Sequence, residues 1–328
     1  MSSTSGRRIL ALSGGVGGAR LARGLAEVLP EGSLAVAVNV ADDFTHLGLA
    51  VSPDLDTVMY TLAGVVNPET GWGREDESWA FMTALEGLGG ETWFRLGDRD
   101  LAVHVERTRR LAAGETLSAI TGLFCRRFGV ASEVLPASDD KVATMVATPE
   151  GELAFQDYFV RERCAPRALG FRFSGAATAG LNPRIVALLD DPALEAVVIG
   201  PSNPFVSIGP MLAIPGLKEG LMRCRAPVIA VSPIIGGKAV KGPAAKMMRE
   251  QGIEPSPLAI AAAYGSVLDG LVIDDVDRKE AAQVNGPGVR VTATLMLGES
   301  ERRQLARDVL GFARELSARR ASPGGHSK

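Results

Sequence analysis

The chain has 328 residues, of which 46% are hydrophobic and 22% are charged, and its formal net charge is −3. That length is enough for one large or two ordinary domains whose core needs no disulfide support. The small negative charge excludes a general electrostatic attraction to nucleic acid or to an anionic membrane surface. No apolar run reaches the ~18 residues that a membrane-spanning helix requires, so no membrane partner is expected.

The cysteines indicate a reducing compartment. Cys125, Cys164 and Cys224 are far apart and form no CxxC pair, which is typical of reduced thiols in a cytoplasmic protein. The first eight residues are short and polar and lack the apolar centre of a signal peptide. We therefore predict a cytoplasmic location, with a disordered tail over residues 317–328.

Short apolar runs rich in β-branched residues alternate with helical patterns along most of the chain. Strands are predicted at 8–12, 34–40, 196–199, 227–231 and 270–273, and helices at 19–29, 183–189, 243–251, 257–264 and 299–316. This alternation predicts an α/β fold: a Rossmann-like, mostly parallel sheet with helices on both faces. Ligands of such sheets bind at the carboxyl ends of the strands.

The segment 67–172 does not continue this alternation of strands and helices. It contains helical patterns at 75–88, 100–112 and 117–128, followed by a predicted β-hairpin of strands 141–148 and 152–160. We predict that residues 1–66 and 173–316 form the Rossmann-like core. The mainly helical region with its hairpin, 67–172, is then an insertion that lies over the active-site edge of the sheet.

A glycine-rich turn follows the first predicted strand. Gly14, Gly15, Gly17 and Gly18, preceded by Ser13, stand between that strand and a helix, where backbone N–H groups can approach an anion closely. The turn is not a Walker A motif, because no Gly-Lys-Ser/Thr follows, and it lacks the third glycine of the Rossmann fingerprint. A tight turn that binds no ligand is the alternative.

Carboxylates gather after the second predicted strand. The run begins at Asn39, continues with Asp42 and Asp43, and is followed by Asp54 and Asp56 at the start of the next helix. Helix capping explains Asp54 equally well. It does not explain the adjacent Asp42 and Asp43, because neighbouring carboxylates repel one another unless a cation or a donor-rich ligand lies between them. Carboxylate oxygens are ligands that Mg²⁺ prefers, so the cluster predicts phosphate chemistry with a divalent cation.

Two more loops follow predicted strands. One presents Ser202 and Asn203 between two prolines, and a plain turn is its alternative explanation. The other precedes a helix and combines two glycines with two lysines: Gly236, Gly237, Lys238 and Lys241. A compact positive site in a mildly acidic protein favours phosphate contact by these lysines.

Eight motifs follow one another along the chain: SGGVGGARL, NVADD, SPDLDTVMYTLAG, GWG, LGDRD, LPASDD, GPSNP and SPIIGGKAVKG. Together they closely resemble the 2-phospho-L-lactate transferase family of coenzyme F-420 biosynthesis. Actinobacterial members of that family are called phosphoenolpyruvate transferases. The resemblance covers about residues 8 to 316.

The resemblance implies a Mg²⁺-dependent phosphotransferase that forms homodimers. Its acceptor is the deazaflavin Fo, which carries a ribityl chain, and its donor is a guanosine diphosphate-type conjugate of a three-carbon acid. The ribityl hydroxyl attacks the phosphorus that bears the acid, GMP leaves, and F-420-0 or its dehydro form results. The acid, whether lactate, enolpyruvate or glycerate, stays open, because the segment 44–47 beside the carboxylates is more polar than expected in relatives.

The family's roles are carried over by motif. Catalytic carboxylates fall on Asp42, Asp43 and Asp56, with Asp42 and Asp56 as Mg²⁺ ligands. Contacts with the phosphates or the ribityl chain are implied for Ser13, Gly14, Gly15, Gly17, Gly18, Asn39 and Asp54. Contacts with the guanine nucleotide are implied for Ser202, Asn203, Gly236, Gly237, Lys238 and Lys241. Arg74 and Trp79 are implied to cover Fo.

Two other classes of protein share parts of the pattern. Gluconeogenesis-factor proteins, which resemble nucleotide-sugar-binding regulators, have the same Gly-Gly turn and Val-Ala-Asp-Asp strand end, but a Gly-Gly-Ser-Ser turn is expected in place of Phe44-Thr45-His46. A nicotinamide-dependent dehydrogenase would use Asp42 to bind a ribose, but the missing glycine and the surplus carboxylates argue against it.

Overall fold

The computed structural model describes residues 8–321 and contains one large sheet and three small ones. Its strands are β1 (Arg8–Ser13), β2 (Leu34–Val38), β3 (Phe44–His46), β4 (Leu49–Val51), β5 (Glu133–Pro136), β6 (Ala143–Thr148), β7 (Gly151–Ala154), β8 (Gly170–Ser174), β9 (Leu194–Ile199), β10 (Val228–Val231), β11 (Ile234–Ile235), β12 (Lys238–Ala239), β13 (Gly270–Ile273) and β14 (Gly288–Val291). Its helices are α1 (Gly15–Val28), α2 (Pro53–Ala63), α3 (Ala80–Gly87), α4 (Asp98–Ala112), α5 (Leu117–Arg127), α6 (Pro183–Leu189), α7 (Gly209–Leu212), α8 (Leu217–Arg223), α9 (Ala244–Glu250), α10 (Pro257–Tyr264) and α11 (Glu299–Ala321).

The large sheet has the order β14-β13-β10-β9-β1-β2-β5, and every neighbouring pair in it is parallel. At its centre Ile9 of β1 lies opposite Leu34 of β2 and Ala196 of β9. Strands β2 and β10 are buried at every residue, as expected of a parallel sheet covered on both faces. The predicted Rossmann-like sheet is therefore confirmed.

Helices pack in separate groups around this sheet. Helix α1 packs against α2 and α11, whereas α8 packs against α6 and α7. The chain leaves β1 for β2 on one side, and the other neighbour of β1 is β9. The order of strands thus reverses between β1 and β9. At such a switch point the loops beyond the strands diverge and leave a crevice for a ligand.

The segment 67–172 forms more of the core than its sequence pattern predicts. Strand β5 lies within this segment and forms the edge of the large sheet beside β2. Strand β8 spans the boundary at 172 and pairs with β6 in a three-stranded antiparallel sheet. The boundaries at 66 and 172 stay a prediction, but the segment contributes to the main sheet instead of only lying over it.

Two predicted elements within this segment differ from the structure. The second hairpin strand ends at Ala154, and a π-helix follows over Asp157–Arg161. Helical spacing places Phe155 and Tyr158 together in one buried cluster, which an extended strand would not do. Helix α3 begins at Ala80 and not at residue 75, because the Asp98 carboxylate accepts the N–H groups of Ala80 and Phe81, both at 3.1 Å.

The final helix is longer than predicted. Helix α11 continues to Ala321, so residues 317–321 of the predicted disordered tail are helical. Arg320 holds this end by donating to the Arg225 carbonyl at 3.0 Å and by pairing with Asp269. The rest of the tail, 322–328, lies outside the described residues. Within the described range, none of the helices is long and apolar enough to cross a membrane.

Candidate active site

A cavity of about 710 Å³ opens at the carboxyl edge of the large sheet, at the switch point between β1 and β9. The loops that follow β1, β2, β9 and β10 all contribute to its wall. Nine of the residues predicted from the sequence line it: Gly14, Gly15, Gly17, Asp42, Asp54, Asp56, Ser202, Asn203 and Lys241. The structure therefore brings together motifs that are more than 200 residues apart in the sequence.

The glycine turn is locked to the loop after β9. The Ser202 hydroxyl accepts the Gly14 N–H at 3.2 Å and donates to the Gly14 carbonyl at 2.8 Å. A Cβ on Gly17 would lie 2.3 Å from the Pro201 carbonyl oxygen, and a Cβ on Gly18 would lie 2.7 Å from the Ser202 hydroxyl. Gly17 and Gly18 thus permit close packing, whereas the start of α1 at Gly15 faces the cavity and offers the positive end of a helix to an anion.

Asp42 and Asp54 form a buried pair bridged by Asn39. The Asn39 side-chain amide donates to Asp42 at 3.1 Å and to Asp54 at 3.0 Å, and the Gly15 N–H donates to Asp54 at 2.7 Å. Burial raises the pKa of Asp54 to about 6. Burial also raises the pKa of Asp42 well above its usual range, and the nearby negative charge of Asp54 adds to this effect.

Asp43 is held apart from this pair. Its carboxylate accepts a hydrogen bond from the Ser52 hydroxyl at 2.7 Å, while its other oxygen, Oδ1, is buried without a partner among the described residues. Burial raises the pKa of Asp43 well above its usual range. Asp43 is not among the residues that line the cavity.

Asp56 has a counter-charge that sequence reasoning missed. Arg107 of α4 is buried and donates to both oxygens of the Asp56 carboxylate. Burial alone would lower the pKa of Arg107, but its ion pair with Asp56 outweighs this effect and the pKa is raised. The guanidinium also donates to the Ala50 carbonyl at 3.3 Å.

The network continues behind Asp56. Arg107 lies 3.2 Å from His104 Nδ1, which must accept because arginine has no acceptor atom. His104 Nε2 therefore carries the proton and faces Asp100 Oδ1 at 3.4 Å, and the Tyr60 hydroxyl donates to the same oxygen at 2.6 Å. Oxygen and nitrogen atoms of Asp56, Asp100 and His104 lie within 4.8 Å of one another.

Buried negative charge favours a cation near Asp42. Burial raises the pKa values of Asp42, Asp43 and Asp54 and so favours their neutral forms, whereas a bound cation would favour the ionised forms. Their oxygens suit a hard divalent cation such as Mg²⁺. Asp56, the other predicted metal ligand, also lines the cavity but is already matched by Arg107.

Aromatic side chains form a second part of the cavity wall. Trp93 and Phe94 pack edge to face with centroids 5.8 Å apart, and Phe44 and His46 of β3 pack against both of them. The full aromatic lining, apart from Tyr60, consists of Trp72, Trp93, Phe94, Phe155 and Phe159. Apolar walls with a few polar groups are typical of binding sites for flat organic ligands.

The two predicted lysines have different positions. Lys241 lines the cavity and donates to the Thr70 carbonyl at 2.6 Å, and burial lowers its pKa, with a further effect from Arg20. Lys238 is exposed on β12 and lies outside the set of lining residues. Gly236 and Gly237 also lie outside it, and the Gly236 N–H donates to Asp277 at 2.9 Å.

Other predicted contacts have structural partners. Asn203 lines the cavity while it caps the π-helix Pro204–Ile208 by accepting the Phe205 N–H at 2.9 Å. Arg74 lies over the Phe128 ring at 5.2 Å, and Arg95 lies over the Trp79 ring at 4.2 Å. Arg74, Trp79 and the buried Ser13 are not lining residues, so their predicted contact with a substrate stays a prediction.

Comparison with known proteins agrees with the geometry. A family model described as 2-phospho-L-lactate transferase CofD matches residues 9–294. A phosphoenolpyruvate transferase from Streptomyces griseus is 41% identical over 319 residues, covering 95% of this chain and 100% of the relative. A 2-phospho-L-lactate transferase from Methanosarcina acetivorans is 38% identical over 306 residues, covering 93% of this chain and 98% of the relative.

The fold has a solved counterpart. A crystal structure of a UPF0052 family member from Bacillus halodurans matches with a TM-score of 0.59 at 14% identity, covering 93% of this chain and 99% of that one. At this identity the match concerns the fold alone. The family match and the curated relatives favour the transferase over both the regulator and the dehydrogenase, and the chain belongs to the CofD family of 2-phospho-L-lactate transferases.

Proposed function

We propose that the protein transfers a phosphorylated three-carbon acid from its guanosine diphosphate-type conjugate to the ribityl hydroxyl of Fo, releasing GMP and forming F-420-0 or its dehydro form. The observation that carries the proposal is the composition of one cavity wall. It combines the N-terminus of α1, buried carboxylates whose pKa values are raised, and an aromatic surface.

The donor's diphosphate fits the polar part of the wall. The Gly14 and Gly15 N–H groups are bonded to Ser202 and Asp54, but Val16 and Gly17 of the first turn of α1 also line the wall. The dipole of α1 favours negative charge at this end of the helix. Lys241 adds an ammonium group nearby in the wall, and Ser202 and Asn203 present small polar groups from the loop after β9. The guanine nucleotide would therefore lie along the crevice between the β1 and β9 loops.

Fo would lie against the aromatic part of the wall. Its deazaflavin ring is flat and largely apolar, and Trp93, Phe94, Phe155 and Phe159 offer ring faces and edges to such a ligand. Its ribityl chain would then reach the carboxylates that line the same cavity. This order places the acceptor hydroxyl beside Asp42 and Asp54.

The reaction needs a proton acceptor and neutralisation of the leaving group. The ribityl oxygen forms a bond to the phosphorus that bears the acid, the bond from this phosphorus to the GMP oxygen breaks, and the hydroxyl proton passes to a carboxylate. Asp54 is the proposed acceptor of this proton, since it lines the cavity and is not one of the implied Mg²⁺ ligands. Burial raises its pKa to about 6, which leaves the carboxylate ionised at neutral pH and close to the operating pH. Mg²⁺ held by Asp42 and Asp56, as the family resemblance implies, would neutralise charge on the transferred and leaving phosphates.

A turnover assay tests the proposal. Purified protein, Fo and Mg²⁺ are mixed separately with the guanosine diphosphate-type conjugates of lactate, enolpyruvate and glycerate, and products are identified by mass. We expect a deazaflavin phosphodiester with at least one donor, which identifies the acid. A folded protein that binds the donors but yields no deazaflavin product with any of them would contradict the proposal. The homodimeric state and the cytoplasmic location remain predictions.

A further inference from the structure

Four cationic side chains line the cavity within residues 8–321, and three of them have partners in the protein. Arg20 donates to the Met296 carbonyl at 3.1 Å, Lys241 donates to the Thr70 carbonyl at 2.6 Å, and Arg95 lies over the Trp79 ring at 4.2 Å. The fourth, Arg163, makes no side-chain hydrogen bond, ion pair or ring contact within the described residues. Its guanidinium is therefore available to an anion in the cavity.

The backbone holds Arg163 in an unusual conformation. Arg163 has φ +50° and the next residue, Cys164, has φ +58°. Left-handed backbone is unfavourable for residues other than glycine, and two in succession are uncommon. Such strain persists only where the surrounding structure enforces it, and it is concentrated at functional sites.

The surrounding contacts enforce this turn. The Cys164 N–H donates to the Tyr158 carbonyl at 2.8 Å, which closes the turn onto the π-helix Asp157–Arg161. From α9, Lys246 donates to both the Tyr158 hydroxyl and the Pro166 carbonyl at 3.2 Å. Glu250, also on α9, accepts the Ala168 N–H at 3.1 Å. Arg163 is thus presented from a rigid segment.

We propose that Arg163 binds the carboxylate of the donor's three-carbon acid, an inference that rests on the proposed function. The donor carries two anionic parts, a diphosphate and a carboxylate. The diphosphate has the α1 N-terminus and Lys241, which belong to other elements. Arg163 lines the cavity from the segment that follows Phe159 and Val160 of the π-helix Asp157–Arg161. A planar guanidinium matches a carboxylate through two parallel hydrogen bonds.

Calorimetry with two ligands tests this assignment. GDP has the diphosphate but no acid, whereas the guanylylated acid has both. We expect Arg163→Gln to raise the Kd of the guanylylated acid by about 10- to 100-fold, the effect of losing a charge-assisted hydrogen bond. The Kd of GDP should change by less than about twofold, because Arg163 does not contact the diphosphate in this account.

Two further variants guard against a folding defect. Arg163→Gly removes the side chain and relieves the left-handed strain, so it should keep or raise the melting temperature while it still loses donor affinity. Arg172→Gln, which removes an exposed ion pair with Glu152 on the neighbouring hairpin, is the control that should leave both Kd values unchanged.

If Arg163→Gln raises the Kd values of GDP and of the guanylylated acid equally, or leaves both unchanged, the assignment is wrong. Because these are binding measurements, their result is separate from that of the turnover assay. A wild-type protein that makes no deazaflavin product would refute the proposed function, whatever Arg163 binds.

Discussion

The buried ion pair between Arg107 and Asp56 provides a quantitative prediction. Both side chains are almost fully buried, and two hydrogen bonds join them. Arg107→Met leaves the buried Asp56 carboxylate without its counter-charge. Breaking a buried pair in this way costs about 3–5 kcal/mol, a large part of the ~5–15 kcal/mol that stabilises a typical domain.

Urea denaturation of four variants measures this effect. The matched control is Arg184→Met, which breaks a two-bond pair with Glu133 at a half-exposed site and should cost only about 0–1 kcal/mol. The double variant Arg107→Met/Asp56→Asn removes the stranded charge and should regain roughly half of the lost stability or more. Asp56→Asn alone completes the cycle.

Turnover separates the structural role of Arg107 from its role in positioning Asp56. Because a displacement of about 1 Å can cost ~100-fold in rate, we expect Arg107→Met to lower kcat about 100-fold with little change in KM. The stability regained in the double variant should not restore kcat. If Arg107→Met is no less stable than Arg184→Met, or if its kcat matches that of the wild type, the reasoning from the buried pair is wrong.

Three further predictions concern other parts of the cavity. Gly17→Ala places a Cβ 2.3 Å from a backbone carbonyl after β9 and should lower both the melting temperature and the nucleotide affinity. Its control, Gly311→Ala, lies in open space on α11 and should stabilise the protein by up to about 1 kcal/mol. Equal effects of the two substitutions would contradict the packing argument. Burial raises the pKa of Asp54 to about 6, so the stability that its protonated form contributes is complete below about pH 4 and is lost as the pH rises through 6. In urea denaturation without added Mg²⁺, the free energy of unfolding should fall by about 3 kcal/mol over this range, and Asp54→Asn should reduce the fall. An identical pH dependence in the variant would refute this. Lys241→Met should raise the donor Kd about tenfold while Lys238→Met changes it less than twofold, and calorimetry giving the reverse order would favour the exposed lysine.

Local sequence patterns predicted the centre of the fold correctly. The strand prediction at 270–273 and the helix predictions at 183–189 and 257–264 match the observed bounds. Apolar β-branched runs bounded by Gly, Pro or Asp specify buried parallel strands with few alternatives. Because the carboxyl ends of parallel strands meet at one edge, the strand order also explains why the Gly14, Asp42 and Ser202 loops converge.

The sequence patterns did not predict features that depend on long-range packing. Arg107 follows Asp56 by 51 residues, and nothing local marks the two as partners. The spacing of Asp100, His104 and Arg107 on one face of a helix was the one available signal, since residues three and four apart are neighbours there. Strand β5 is four residues long and follows a helix, so its pairing with β2 depends on the sheet already in place.

The aromatic wall was also beyond reach of the sequence. Phe155 lies within the strand predicted at 152–160, and no local pattern relates it to Trp93. Their common position depends on the π-helix after β7 and on β3, which places Phe44 beside Trp93. Each is a tertiary arrangement that side-chain packing decides and that propensity does not.

The stoichiometry of one reaction tests transfer at the carboxylate cavity. Wild-type protein and a folded Asp42→Ala variant are each mixed with Fo, Mg²⁺ and the donor that supports turnover, and GMP and the deazaflavin product are both quantified. Transfer at the carboxylate cavity predicts one GMP for each deazaflavin product with the wild type, and neither product with the variant. GMP released without a deazaflavin product, or wild-type turnover by Asp42→Ala, would contradict it.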